Sequence, residues 1–324
     1  MVCRQIYILL ELPIDPVGWI AQATNMLAIA LILDAIFGEP EPLWRRVPHP
    51  VVAIGRAISW AETRLNRGAH RRIKGTLLVL ALVIGAGALG GALSHPVLHG
   101  AGEIVGATIL LAHRALIDHV RDVATALRQS TEIGRQSVAR IVGRDTAELD
   151  NSGIARAAIE SAAENFSDGV IAPAFWFLIA GLPGILAYKA VNTADSMIGY
   201  RTERYGDFGW AAARLDDVMN WIPARLTGGL ICLTGGGWSA VKIMRRDARL
   251  HSSPNAGWPE AAAAAALGIA LSGPRVYNGA LTEDPFVHPE GRRELEPEDI
   301  EAACALLWRG WIALLGLAAL AALI

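Results

Sequence analysis

Four stretches of this chain, residues 75–93, 170–188, 221–237 and 304–324, are apolar over lengths that reach across a bilayer. Runs of roughly 17–25 apolar residues read as membrane-spanning helices. Residues 17–37 form a further apolar segment at the start. Acids and amides nevertheless crowd the stretch from 160 to 220: E-S-A-A-E-N-F-S-D-G, an apolar run broken by G-L-P-G, Y-K-A-V-N-T-A-D-S-M, and R-L-D-D-V-M-N-W-I-P-A-R. Carboxylates and amides beside lipid need a partner, a cation or a water-filled cavity. With 53% apolar and only 19% charged residues in 324, the composition fits this reading and argues against a soluble α-protein. The expected fold is all-α: one multi-pass transmembrane domain over 1–324, with a re-entrant helical hairpin and cytoplasmic amphipathic helices.

The net charge of −2 gives no reason to expect a nucleic-acid partner. Cys3, Cys232 and Cys304 form no C-x-x-C, so neither a disulfide framework nor a zinc site is expected. Arg4 precedes a short apolar run, but Glu11, Pro13 and Asp15 interrupt it and no A-x-A follows, unlike a cleaved signal.

Taken in order, the first segment carries Asp34 near its end, and proline then crowds 38–51, which includes His49. Basic residues dominate 45–74 and mark that loop as cytoplasmic, with the N-terminus outside. The G-A-G-A-L-G at 85–90 matches G-x-G-x-x-G, but no strand precedes it, so close helix packing is the reading. An outer turn at 94–102 and a weak inward span at 103–116 follow, then amphipathic helix through 114–144. His113, Asp118 and His119 read as a solvated helix face, since a third convergent metal ligand is missing.

Glu160 and Glu164 are four apart and share a helix face, with Asp168 two turns beyond the first. G-L-P-G at 181–184 breaks a helix. Two half-length segments, 170–180 and 185–199, would then enter and leave on one side. That arrangement brings Glu164, Asp168, Lys189, Asn192 and Asp195 together. Asp216, Asp217 and Asn220 form D-D-x-x-N, oxygen ligands suited to Mg²⁺. Lys242, Arg245, Arg246 and Arg249 mark a second cytoplasmic face. The turn-rich 251–260 supplies His251 and Asn255, and Pro259 opens a helix of small residues to 271. Residues 282–299 read as a polar surface loop, and 304–324 as a last span with Arg309 snorkelling. No internal repeat is evident.

No G-x-x-x-x-G-K-[ST], H-E-x-x-H or G-x-S-x-G occurs. The residues by themselves describe a membrane enzyme handling a phosphorylated or anionic substrate: carboxylates for Mg²⁺, Lys and Arg for phosphate. Rival readings are a permease built on broken helices, a Mg-dependent prenyltransferase-like enzyme, and a scaffold tethering soluble enzymes.

Five motifs, D-A-I-F-G-E-P with H-P-V-V-A-I-G, E-S-A-A-E-N-F-S-D-G-V-I-A-P, Y-K-A-V-N-T-A-D-S-M-I-G-Y, F-G-W-A-A-A-R-L-D-D-V-M-N-W-I-P-A-R-L and S-P-N-A-G-W-P-E-A, occur in order between 34 and 280. They resemble the CobD/CbiB family of integral membrane proteins in cobalamin biosynthesis, the adenosylcobinamide-phosphate synthases. The chain departs where the family typically carries L-G-G; here 271–273 read L-S-G. The resemblance implies ATP-driven amide formation between the free propionate of adenosylcobyric acid and (R)-1-aminopropan-2-ol or its O-phosphate. The active face would lie on the cytoplasmic side of the cell membrane, with the lipid bilayer and other cobalamin-pathway enzymes as partners. On that reading Mg²⁺ sits on Asp195, Asp216, Asp217 and Asn220. Lys189, with Arg201 or Arg225, holds phosphate, and Glu164 takes the ammonium proton, with His49 and His251 as alternatives. Asp34, Glu39 and His49 of the first motif would contact the corrinoid, and Glu160, Asn165, Asp168, Asn192, Arg201, Arg225, His251 and Asn255 are the further candidate substrate contacts.

Overall fold

The computed structural model describes residues 16–95, 100–277, 280–282 and 284–323. Arg4, Glu11, Pro13 and Asp15, part of the expected 94–102 turn, and residue 324 lie outside the described residues. The helices are α1 (Pro16–Phe37), α2 (Glu41–Trp44), α3 (Pro50–Leu65), α4 (Arg71–Leu93), α5 (Ala101–Leu110), α6 (His113–Gln129), α7 (Thr131–Val138), α8 (Asn151–Phe166), α9 (Ala172–Ile198), α10 (Trp210–Met219), α11 (Trp221–Ile231), α12 (Gly237–Asp247), α13 (Gly257–Leu267) and α14 (Pro297–Ala321). One π-turn (Ser167–Ile171) joins α8 to α9, and another (Cys232–Gly236) joins α11 to α12. Four stretches are long and apolar enough to cross a membrane: Gly18–Phe37, Arg71–Leu93, Asn151–Ile198 and Pro297–Ala321. The protein is an all-α, multi-pass membrane protein.

The third of these stretches turns back on itself where G-L-P-G predicts. Ala180 (φ −141°, ψ 20°) and Gly181 (φ 61°, ψ −150°) leave helical geometry inside α9. Gly181 holds a backbone region open essentially to glycine alone. Beyond the break, a Cβ on Gly184 would lie 2.3 Å from the Trp176 carbonyl oxygen. The Tyr188 hydroxyl lies 3.1 Å from the Asp168 carbonyl, which shares its one proton with Asn220 Oδ1. A straight helix would put about 30 Å between residues 168 and 188, so the two legs are packed antiparallel. The tip is enclosed: Pro183 lies against Gly90 of α4, and Leu182 against Gly106 of α5. Close packing of the 85–90 glycines therefore holds at Gly90. Gly85 and Gly87 have nothing within 4 Å of a would-be Cβ.

Two expected spans are corrected. The run 221–237 does not cross as one helix. Its α11 is 11 residues, about 16 Å, and after the π-turn Gly237 adopts φ 58°, ψ −149°. The chain then returns as α12, bringing the Cys232 and Met244 sulfurs to 3.8 Å. Likewise 103–116 is no span. Its α5 has 10 residues, half the hydrocarbon thickness, and extended backbone at Leu111 ends it. The next helix, α6, begins at His113, whose backbone N–H is capped by the Asp34 carboxylate at 3.1 Å.

His113 is not on a solvated face either. It is wholly buried, edge-on to Trp308 at 4.5 Å and stacked on Trp311 at 5.6 Å. The pattern misleads because α6 presents its first residue to α14. Asp118 instead pairs with Arg114 at 2.7 Å. The main core forms where α6, α8, α9, α13 and α14 meet, from residues such as Ile117, Ile159, Phe166, Leu182 and Leu307. Two two-stranded antiparallel ribbons fill the segment before α14: β1 (Leu271–Ser272) with β4 (Phe286–Val287), and β2 (Arg275–Tyr277) with β3 (Ala280–Thr282). This segment is more than a surface loop, since Val287 and Leu295 are buried. A capping box of Glu296 and Asp299 starts α14 at Pro297, ahead of the expected 304.

Candidate active site

The hairpin aligns three sources of polar side chains. From α8 come Glu160, Glu164 and Asn165, and the π-turn adds Ser167 and Asp168. The returning leg of α9 presents Lys189, Asn192 and Asp195, spaced three apart on one face. Asp216, Asp217 and Asn220 follow from the C-terminal end of α10. The loop before α13 adds His251, Ser253 and Asn255. Together they wall a set of adjoining cavities.

The largest, about 510 Å³, is lined by Glu160, Glu164, Asn165, Asp168, Asn192, Asp195 and His251. A second, about 410 Å³, shares Asn165, Asp168 and Asn192 with it and adds Lys189, Arg140, His119 and Glu39. A small third, about 90 Å³, has Glu164, Asp168, Asp195, Asp216 and Asp217 in its wall, with Ser167, Asn220, Ser253 and Asn255. Among the described residues lining it none is basic. A fourth, about 390 Å³, is formed by Trp221, Arg225, Arg249, His251, Ser253 and Trp258.

Amides orient the acids. Asn192 Nδ2 donates to Asp168 Oδ2 and to Asp216 Oδ1, both at 3.3 Å. Asn220 Nδ2 donates to Asp216 Oδ2 at 3.0 Å, and Asn220 Oδ1 accepts from the Tyr188 hydroxyl at 2.9 Å. The tyrosine thereby fixes which end of the Asn220 amide faces the acid. Burial pushes the Asp216 carboxyl up to about 6, with the Asn220 and Asn192 amides pulling it down. Asp217 pairs with Arg214 at 3.4 Å, and its carbonyl accepts from Asn255 Nδ2 at 2.9 Å. Ser167 Oγ is buried and has no hydrogen-bond partner. Among the described residues no three His, Cys, Asp or Glu side chains are grouped as a ready-made metal site.

On the far wall, Glu160 is held by Arg144 at 3.1 Å and accepts from the Ser272 backbone N–H at 2.6 Å. Ser272 has φ 60°. That is the left-handed region, which glycine adopts far more readily than serine. His251 Nδ1 accepts from the Ser253 N–H at 3.0 Å, and Nε2 lies 3.4 Å from Glu260. Arg225 contacts Asn255 Oδ1 at 3.4 Å and lies over the rings of Trp221 and Trp258.

The structure does not bring Asp34, His49 and Arg201 to these cavities. Asp34 is buried as the cap of α6. His49 caps α3, accepting from the Val51 N–H at Nδ1, while Nε2 meets the Ile109 carbonyl at 3.1 Å. Arg201 is exposed on the 199–209 loop. Glu39 of the first motif, by contrast, lines the second cavity, and His119, Arg140, Arg144, Ser167 and Ser253 line the cavities without having been singled out as site residues. Ser167 and Ser253 stand in the second and fifth motifs, whereas His119, Arg140 and Arg144 lie in segments whose pattern is that of ordinary amphipathic helix or turn.

The fold and cavities define an integral membrane protein with a polar, acid-rich site at the mouth of a broken helix. The CobD/Cbib protein family matches residues 27–307, and the chain belongs to that family. It is 50% identical over 316 residues to a protein of Brucella anthropi named cobalamin biosynthesis protein CobD, covering 92% of this chain and 97% of the relative. Proteins of the same name from Rhizobium meliloti and Rhodobacter capsulatus are 47% and 45% identical. They cover 89% and 88% of this chain and 93% and 92% of their own lengths. No solved structure matches the chain.

Proposed function

We propose that this protein acts in cobalamin biosynthesis as an adenosylcobinamide-phosphate synthase of the cell membrane, its active face cytoplasmic. It would join the free propionate of adenosylcobyric acid to (R)-1-aminopropan-2-ol or its O-phosphate as an amide. The observation that carries the reading is the small cavity with five carboxylates and no basic residue in its described wall. It borders a cavity of about 510 Å³, with Glu164, Asp168 and Asp195 in the wall of both. The corrinoid ring is larger than that cavity, so only the propionate arm and the small amine need enter.

A carboxylate and an ammonium do not condense unaided at neutral pH. A propionate oxygen attacks the γ-phosphorus of ATP, the bond to the β-phosphate oxygen breaks, and ADP leaves. The amine nitrogen then attacks the acyl carbon, the C–O bond to phosphate breaks, and inorganic phosphate departs with the former carboxylate oxygen. The ammonium gives up its proton before attack, and Glu164, on the wall common to both cavities, receives it.

The residues fit Mg²⁺. Five carboxylates around one small cavity with no basic residue in its described wall call for a cation, and the orphaned, buried Ser167 Oγ adds a neutral oxygen. One or two of Asp195, Asp216 and Asp217 would hold the ion directly, with Glu164 and Asp168 meeting its waters, while Asn220, whose Nδ2 faces Asp216 and whose Oδ1 accepts from Tyr188, orients the acid. Mg²⁺ keeps several waters and uses one or two carboxylates with phosphate, so it does not need a cage of three protein ligands, and none is preformed among the described residues. Bound there, it supplies positive charge to phosphate oxygens. Asn192 and Asn220 hold the acids in place, and Tyr188 sets Asn220. Lys189, Arg140 and His119 line the second cavity and favour an anion there.

The test is direct. Purified protein with adenosylcobyric acid, aminopropanol or its phosphate, and Mg-ATP yields the amide and ADP. No product with any nucleotide overturns the reading. Two broken helices also suit a permease. Corrinoid uptake into vesicles without amide formation would favour that second reading.

A further inference from the structure

We infer that the cavity walled by Trp221, Arg225, Arg249 and Trp258 binds the phosphate chain of a nucleoside triphosphate. The inference rests on the ATP-dependent reading above and gives the nucleotide a place that no sequence motif supplies.

Charge is the first argument. The cavity is about 390 Å³, within the range of small-ligand sites. Its described wall holds two arginines and His251 and no carboxylate. Arg249 is exposed and has no carboxylate partner among the described residues. By contrast Arg246 is matched by Asp247 and Glu290, Arg204 by Glu62, and Arg128 by Glu298 and Glu301. An arginine pair without an acid is an anion site in waiting, since guanidinium forks bind phosphate in two-point fashion.

Preorganisation is the second. The Arg225 guanidinium lies 4.3 Å from the Trp221 ring and 4.6 Å from that of Trp258. Its Nη1 donates to the Trp221 carbonyl at 2.6 Å and reaches Asn255 Oδ1 at 3.4 Å. The fork is held between two indoles with Nε and Nη2 bonded to no described residue. Little side-chain entropy remains to be lost when an anion arrives.

Position is the third, and it separates a nucleotide from a lipid headgroup. This basic cavity shares Ser253 with the five-carboxylate cavity and His251 with the largest one. Asn255, which meets Arg225 through Oδ1, donates through Nδ2 to the Asp217 carbonyl at 2.9 Å. A basic site and an acidic site that touch are what a magnesium-bearing triphosphate spans, its anionic chain on one and its cation on the other. A phospholipid phosphate would use the arginines and leave the acids unanswered.

The test is equilibrium binding of trinitrophenyl-ATP, a fluorescent analogue, to the full chain in detergent with Mg²⁺. ATP displaces the probe from the wild type. Arg249→Ala weakens binding about tenfold or more, the loss of one charge-assisted contact. Arg249→Lys retains most of it, and both variants melt as the wild type does. Trp258→Leu frees the Arg225 fork and also weakens binding. Wild-type affinity in both Arg249→Ala and Trp258→Leu overturns the inference. So does an Arg249→Ala protein that binds nucleotide normally but copurifies with less phosphatidylglycerol, which would make the cavity a lipid site. Nucleotide bound through Arg249 without amide synthesis would sink the ligation and leave this site standing. Amide synthesis with an unchanged ATP KM in Arg249→Ala would do the reverse.

Discussion

The two broken helices use one backbone device to opposite ends. At Gly181 the torsions are 61° and −150°, and at Gly237 they are 58° and −149°. In the first hairpin the tip is plugged by protein: Trp19 beside Gly181, Gly90 against Pro183, Gly106 against Leu182. In the second, nothing lies within 4 Å of a Cβ at Gly237, and Leu233 and Trp238 around it are 75% and 68% exposed. Packing thus defines the first turn, whereas torsion alone defines the second. The mouths differ in charge as well. Asp168, Asp195, Asp216 and Asp217 gather at the first, and Arg225 and Arg249 at the second. They meet where Asn255 bridges Arg225 and the Asp217 carbonyl. The glycine break positions a mouth, and the flanking side chains decide its chemistry.

The comparison can be broken most severely at its acidic side. Asp217→Asn should lower Mg-dependent turnover by about a hundredfold or more, in keeping with removal of one preorganised electrostatic group. Its membrane extraction and melting should match the wild type. Full activity would remove Asp217 from the metal assignment.

The tips come next. Gly184→Ala drives a Cβ into the Trp176 carbonyl and should cost about 3 kcal/mol by overpacking. Gly237→Ala meets no atom and should cost about 1–2 kcal/mol of torsional strain. Thermal melts in one detergent compare the two. Equal losses would erase the distinction between a packed and an open tip.

The fold-back has a topological signature. In a Cys3→Ser background, cysteines placed at 164 and 189 should both react with an impermeant maleimide from the same face of oriented vesicles, Cys232 and Cys304 being buried. Labelling from opposite faces would mean that the first hairpin crosses the bilayer.

The smallest effect concerns the 199–209 loop that connects the hairpins. Arg204 donates two hydrogen bonds to Glu62 at 3.0 Å and holds its carboxyl below the ordinary 4.5. A depressed acid stabilises the fold above its unfolded value and loses that contribution as pH falls through the folded one. Glu62→Gln should therefore melt slightly lower than wild type at pH 7, and the gap should close below about pH 4.5. A gap that persists in acid would show that the ion pair is not its source.

Much of this was legible in the residues. Apolar block lengths announced a multi-pass helical protein, and G-L-P-G announced the first fold-back, because glycine and proline alter the backbone locally. The grouping of Glu164, Asp168, Asn192 and Asp195 followed from that break and from helical spacing. The second fold-back was misread as a span because T-G-G-G leaves the apolar run unbroken in hydropathy. Only torsions at Gly237 reveal the turn. Ser272 concealed its left-handed backbone behind an ordinary side chain. Asp34 and His49 look like site residues by type, yet both serve as helix caps, since a cap and a ligand ask for the same polar atoms.

The sequence by itself determined the environment, the helical class and the first hairpin, all of which depend on local composition and backbone chemistry. Tertiary structure alone decided which charges meet. Arg144 reaches Glu160, Asn192 spans Asp168 and Asp216, and the acidic mouth touches the basic one through Asn255 and Ser253. Such meetings depend on how helices far apart in the chain pack against one another, and no periodicity along the chain encodes that.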